Sequence, residues 1–172
     1  MFAGMNARRC LLFLLVLSVG LTAGCGRKEI TSLQRKEAAN IVSEAQFALT
    51  LRDYARAEPL LAKAVAICPD MPEYWQSLGA VRRRLDNRSG AKQAYEQMLD
   101  ASRDAYHRDA KNTDALLQQV YALALLGRVD DARDVLTKAQ KDHPDDRVLS
   151  AFGDGKQLDR VLNDPAFKEI AL

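Results

Sequence analysis

The stretch Glu73-Tyr74-Trp75-Gln76-Ser77-Leu78-Gly79-Ala80-Val81, the break Leu85-Asp86-Asn87-Arg88, and then Ala91-Lys92-Gln93-Ala94-Tyr95-Glu96-Gln97-Met98 decide the fold of this chain. On both sides of the break the apolar and small residues return every three or four positions, the period of an amphipathic helix. The same pattern stands 34 residues earlier, where Ile41, Ala45 and Ala57 match Trp75, Gly79 and Ala91, and Leu61 and Ala64 match Tyr95 and Met98. A step of 41 residues onward recovers Leu116, Val120, Ala132, Leu136 and Ala139 and brings Gly127 to the inner break. Three copies of one helix pair are therefore predicted, each burying its apolar face against its neighbours.

The spacing predicts helices over Ile41–Leu51 and Tyr54–Ile67, over Glu73–Leu85 and from Ser89 onward, and over Asp114–Leu126 and Val129–Gln140. Leu51-Arg52-Asp53-Tyr54, Leu85-Asp86-Asn87-Arg88 and Leu126-Gly127-Arg128-Val129 form the inner turns, with Gly127 free to take positive φ. Pro69 and Pro144 close the outer helices, because the residue before a proline is pushed out of helical geometry. Asp70 and Asp145 are the expected caps of the next helix in each case.

On these residues the body from about Ala38 to Asp146 resembles a tetratricopeptide repeat protein. The second copy carries Trp75, Leu78, Gly79, Ala91 and Tyr95 in register with the family pattern; the first contributes Tyr54, Ala57, Leu61, Ala64 and Pro69, and the third Leu116, Gly127, Ala132, Ala139 and Pro144. Glu44 and Gln119 depart from the leucine seen at Leu78, and Arg82 stands where the family usually has an aromatic. The resemblance implies an all-α, TPR-type helical hairpin solenoid of three repeats (about 38–71, 72–112 and 113–146) with a C-terminal capping helix over 147–172.

The extra seven residues of the 41-residue step fall between Leu99 and Thr113, without Gly or Pro, and read as an extension of the second outer helix. Such an extension projects past the stack and exposes Tyr106, His107 and Arg108, as a contact point or as a solvated helix. Beyond Pro144 the period is lost. Arg147–Phe152 gives a short helix, and after the Gly153-Asp154-Gly155 break come Lys156–Asn163 and a turn begun by Asp164-Pro165. Leu158, Val161, Leu162 and Phe167 are the inner side of this cap, and Asp159, Arg160 and Lys168 the outer.

At the other end, Arg8 and Arg9 precede an apolar run from Cys10 to Leu21, and Leu21-Thr22-Ala23-Gly24-Cys25 resembles the lipobox of bacterial lipoproteins. The run spans about 18 Å as a helix, short of the roughly 30 Å hydrocarbon core, so a cleaved signal over 1–24 is expected rather than a permanent span. The resemblance implies lipidation of Cys25 and a tether over 25–30. Gly26 rather than an acid after the lipid cysteine implies the outer membrane, with the domain facing the periplasm. The open alternatives are an uncleaved anchor and an ordinary cut that leaves a free periplasmic protein. Loss of Arg8 and Arg9 balances the chain's 25 basic residues against its 23 acidic ones, leaving no net field to hold nucleic acid. Cys68 is then the one cysteine without a partner or a lipid, a small residue at a helix end. From Gly26 to Ile30 the tether reaches at most about 18 Å before a capping box of Thr31 with Gln34, which keeps the stack close to the bilayer.

No catalytic constellation is present. His107 and His143 sit on different repeats as surface residues without a ligand or triad partner at useful spacing, and no glycine loop cradles phosphate. The expected site is a groove on the first helix of each repeat: Val42, Gln46 and Leu49, then Gln76, Ala80, Arg83 and Arg84, then Leu117, Tyr121 and Ala124. Its mixture suits an extended peptide or partner helix. Arg82, Arg83 and Arg84 point about 100° apart and form no single patch unaided. The expected function is that of a membrane-anchored adaptor with a protein or peptide partner, without metal, cofactor, nucleic acid or small-molecule substrate. The alternative is a structural, self-associating envelope lipoprotein.

Overall fold

The computed structural model describes residues 29–152 and 156–172, and within these every regular element is a helix. The signal over 1–24, Cys25, the first residues of the tether and the Gly153-Asp154-Gly155 break lie outside the described residues. The helices are α1 (Ser32–Thr50), α2 (Tyr54–Ile67), α3 (Pro72–Arg84), α4 (Arg88–Arg108), α5 (Thr113–Leu125), α6 (Val129–Asp142), α7 (Arg147–Ala151), α8 (Lys156–Asn163) and α9 (Pro165–Ile170). From α1 to α6 each helix packs on its neighbour in the chain, and α9 returns to pack on α3.

Helix α1 starts at Ser32, nine residues ahead of Ile41, because Thr31 and Gln34 form the capping box: the Gln34 amide donates to Thr31 Oγ1 at 3.2 Å and the Thr31 amide to Gln34 Oε1 at 3.0 Å. Asp53, Asn87 and Asn112 cap α2, α4 and α5 in the same sense. The caps after the two prolines fall one residue later than expected: α3 is entered from Met71, which makes no side-chain cap bond, and α7 from Asp146. The three inner turns share one geometry. Arg52, Asp86 and Gly127 have φ of 56°, 58° and 71°. After each, an amide reaches back five residues, from Asp53 to Ala48 at 2.9 Å, from Asn87 to Arg82 at 2.8 Å and from Arg128 to Leu123 at 2.9 Å. This is the Schellman closure, normally made with glycine, and only the third turn has one. The turns stand 34 and 41 residues apart, the same steps as the side-chain pattern.

The 41-residue step is explained by α4, which has 21 residues against 14 in both α2 and α6. Its added turns do not project into solvent. Ala101 and Ser102 are buried, Gln119 Nε2 donates to the Ser102 carbonyl at 3.5 Å, and the Tyr106 hydroxyl lies 3.0 Å from His143 Nε2 with the rings edge to face. Tyr106 and His143 are thus a half-buried pair, a correction to their reading as exposed side chains; His107 and Arg108 are exposed. Gln119 is tolerated in place of leucine by its bond to Ser102. Glu44, the other departure, is exposed on α1, which has no described helix pair before it to pack against.

Two buried clusters fill the fold. One joins α1, α2 and α3, with Ala94 of α4, around Ala45, Leu61 and Leu78; the other joins α4 to α9 around Tyr95, Leu123 and Phe167; and the half-buried Trp75 packs on both, its indole N–H donating to the Pro69 carbonyl at 2.8 Å. The tightest approach is at Gly79. A Cβ there would lie 2.2 Å from Tyr95 Cε1 and 2.5 Å from Cδ1, so the missing side chain is the space the Tyr95 ring occupies. The matching pairs of the other copies, Ala45 with Leu61 and Val120 with Leu136, are also buried but place a smaller side chain opposite a Cβ.

Gly79→Ala is expected to reverse the usual sign of that substitution in a helix, which favours alanine by about 1 kcal/mol, and to destabilise the fold by about 3 kcal/mol through overpacking, read as a fall in the urea midpoint. At α7, Asp146 accepts from the amides of Val148 and Leu149, both at 2.9 Å, and from Thr113 Oγ1 at 2.6 Å. The Thr113 bond, then the backbone bonds, hold its carboxyl below the usual range. The link between α5 and α7 is therefore intact above about pH 4 and fades as pH falls through the lowered value; an acid titration of stability should show a limb that Asp146→Asn flattens.

Candidate peptide-binding face

The expected groove residues lie at i, i+4 and i+7 on α1, α3 and α5, which puts each trio on one side of its helix. Val42 and Ala124 are nevertheless buried in helix packing and offer no open surface. Gln46 is exposed, and Leu49, Gln76, Ala80 and Leu117 are half-buried. Arg83, Arg84 and Tyr121 are brought together by a feature that the repeat pattern does not announce: the segment Asp164–Leu172 crosses from α8 to α3 and lies against them.

The contacts of this segment are specific. The Tyr95 hydroxyl donates to the Ile170 carbonyl at 2.7 Å, Arg83 Nε donates to the Ala171 carbonyl at 2.9 Å, and the Leu172 amide donates to the Leu125 carbonyl at 3.0 Å. Phe167, 6% exposed, meets the Tyr121 ring edge to face with centroids 5.6 Å apart. Arg84 lies 3.7 Å from Glu169 and also stands over the Tyr54 ring at 5.4 Å. The third arginine of the run, Arg82, turns the other way, to Glu58 at 2.9 Å and the Gly90 carbonyl at 3.3 Å. Three consecutive arginines thus serve three different partners, as their 100° offsets require.

Local sequence builds the segment. Asp164 caps α9, accepting from the Ala166 amide at 2.7 Å, and Pro165 occupies the first helical turn where its missing N–H costs nothing. The carbonyls at the far end of α9 are those a helix leaves unsatisfied, and these are the ones that Tyr95 and Arg83 take up. Besides these bonds the segment is held by the buried Phe167 and by Ile170, Ala171 and Leu172, which pack half-buried against the second cluster. Burial raises the pKa of the Tyr95 hydroxyl far above the ordinary phenol value, and that of Tyr121 in the same direction, so both hydroxyls are neutral at physiological pH and Tyr95 serves as a donor.

Tyr95 is the site residue that sequence reasoning missed. Its place in the repeat marks it as a space-filling aromatic; the available signal is its hydroxyl, which Leu61 and Leu136 lack at the matching positions. Beyond the segment, a hollow of about 370 Å³ bounded by Leu49, Thr50, Arg52, Tyr54, Arg84 and Glu169 continues the face toward α1. A separate cavity of about 490 Å³ opens between the start of α1, Pro69 and Asp70, and α4, beside the Arg35–Asp70 ion pair at 2.7 Å. Cys68 is fully buried, and desolvation, followed by the charge of Asp70, raises its thiol pKa, which makes it a packing residue rather than a nucleophile. Among the described residues no group of three His, Cys, Asp or Glu side chains is placed to hold a metal ion, and no helix is long and apolar enough to cross a membrane.

No protein-family model, no curated protein and no solved structure matches the chain. Tyr95→Phe is expected to leave the helix pairs intact while costing about 1 kcal/mol at the segment and quickening amide exchange over 166–172, measured by hydrogen–deuterium exchange.

Proposed function

We propose that this chain is a tetratricopeptide-type lipoprotein, anchored through Cys25 in the bacterial cell envelope, that acts as a protein-binding adaptor for a membrane-associated complex such as secretion, pilus or outer-membrane machinery. The observation that carries the reading is the face between α3 and α5, where Arg83, Tyr95 and Leu125 engage the backbone of the chain's own residues 170–172. A surface that bonds to main-chain carbonyls while seating one aromatic side chain is suited to peptides. Three helix pairs closed by the same turn at steps of 34 and 41 residues support the repeat architecture. The lipobox-like residues before Cys25 support the anchor, and the short tether keeps the adaptor beside the membrane it serves.

The self-associating alternative has its own observation, since Leu33, Phe47 and Leu51 of the first helix pair are exposed at 75%, 59% and 62%. A chain begun at Gly26 and remaining monomeric in sedimentation at all concentrations would remove that alternative. For the adaptor, a photo-crosslinking residue at Gln46 or Gln76 should yield one adduct of constant mass in cells, and a lipid precursor should label the wild type but not Cys25→Ala. Diffuse or absent adducts would overturn the adaptor reading, and equal labelling the anchor.

A further inference from the structure

We propose that the face made by Arg83, Tyr95, Tyr121 and Leu125 receives, from a partner protein, a short helical turn built like the chain's own segment Asp164–Leu172, which sits there as an exchangeable stand-in. The inference rests on the adaptor reading and adds the chemistry of the partner.

Two layers of recognition are visible. The backbone layer consists of the bonds to the Ile170 and Ala171 carbonyls and from the Leu172 amide. These groups are common to every peptide, but here they belong to the open end of a helix, whose negative dipole end faces the cations Arg83 and Arg84. The side-chain layer is narrower. It asks for an aromatic residue against Tyr121, as Phe167 is, and an acid two positions later near Arg84, as Glu169 is. The matching partner is an amphipathic turn with an aromatic, an acid two residues on, an aliphatic residue after the acid, and its helix ending at the face.

Exchange follows from how the stand-in is held. Helix α9 has six residues, too few to persist alone; Phe167 is its single fully buried side chain, Ile170 is half-buried, and Pro165, Ala166, Lys168 and Glu169 are exposed. The hollow of about 370 Å³ that runs from Glu169 to Leu49 and Tyr54 is left unfilled by the segment. A longer partner peptide gains contacts there that the segment does not make, which offsets the high effective concentration of a tethered competitor. Until it is displaced, the segment lowers the apparent affinity of any partner by the fraction of time the face is open.

The test uses the full chain in detergent and a labelled, end-blocked peptide with the sequence of residues 164–172. In anisotropy titrations the double variant Phe167→Asp with Ile170→Asp should bind the peptide at least about ten-fold more tightly than the wild type does, and a scrambled peptide should not bind. Adding Arg83→Gln to that variant should weaken binding several-fold. Equal affinity of wild type and double variant, or of native and scrambled peptide, overturns the proposal. Hydrogen exchange on the wild type provides a check independent of the variants' folding. Amides of 167–172 should exchange at least about ten-fold faster than those of Ala94–Met98, and coincident exchange would make the segment a permanent part of the core. Peptide exchange without any crosslinked partner at Gln46 or Gln76 would defeat the adaptor reading alone, and a partner without peptide exchange would defeat this inference alone.

Discussion

The Tyr95 ring lying where Gly79 has no side chain is the contact on which the rest of the structure depends. It sets the separation of α3 and α4, and it lets a residue of the second helix pass α3 and present its hydroxyl on the far side. A leucine at this position, as in the other two copies, would fill space and stop. Tyrosine fills the same space and adds a polar end that a buried site must satisfy, which it does on the Ile170 carbonyl. Packing and recognition are thus carried by one side chain, and the middle helix pair, flanked on both sides, is where they meet.

Arginine placement follows a related logic. Arg82, Arg83 and Arg84 leave the last turn of α3 in three directions, and each finds an acceptor: a carboxylate on α2, a carbonyl of the returning segment, and Glu169 with the Tyr54 ring. The positive charge complements the carboxyl end of α3 itself and, across the gap, the carboxyl end of α9. Two helix ends of the same sign are held together by a cluster of opposite sign. Exposed ion pairs such as Arg84 with Glu169 contribute little by themselves.

Much of the local structure was legible in the chain. The 34- and 41-residue steps are side-chain periodicities, and a helix pair that repeats its apolar positions repeats its turn; hence Arg52, Asp86 and Gly127 share one backbone geometry although only one is glycine. The length of α4 followed from a step that was seven residues too long. The caps at Thr31 and Asp164 are short-range hydrogen bonds between neighbours in sequence. The fate of the added turns was not legible, because whether Tyr106 meets solvent or His143 depends on a residue in the next helix pair. Nor was the burial of Val42 and Ala124, whose helical phase was right but whose neighbours were unknown.

What the sequence determined by itself is therefore the helical character of the described residues, the inner turns that join successive helices, the caps at Thr31 and Asp164, and the inner and outer sides of the closing helices, all set by interactions between residues close in the chain. Only the tertiary structure decided the path of Asp164–Leu172. Its partners are 75 residues back at Tyr95 and 88 residues back at Arg83, and main-chain carbonyls accept those bonds. A carbonyl looks the same behind every residue, so no pattern of letters marks the one that a distant tyrosine will reach. That is why Phe167 was expected on the inner side of a cap, as it is, while the surface it seats on proved to be the face expected to be left open for a peptide.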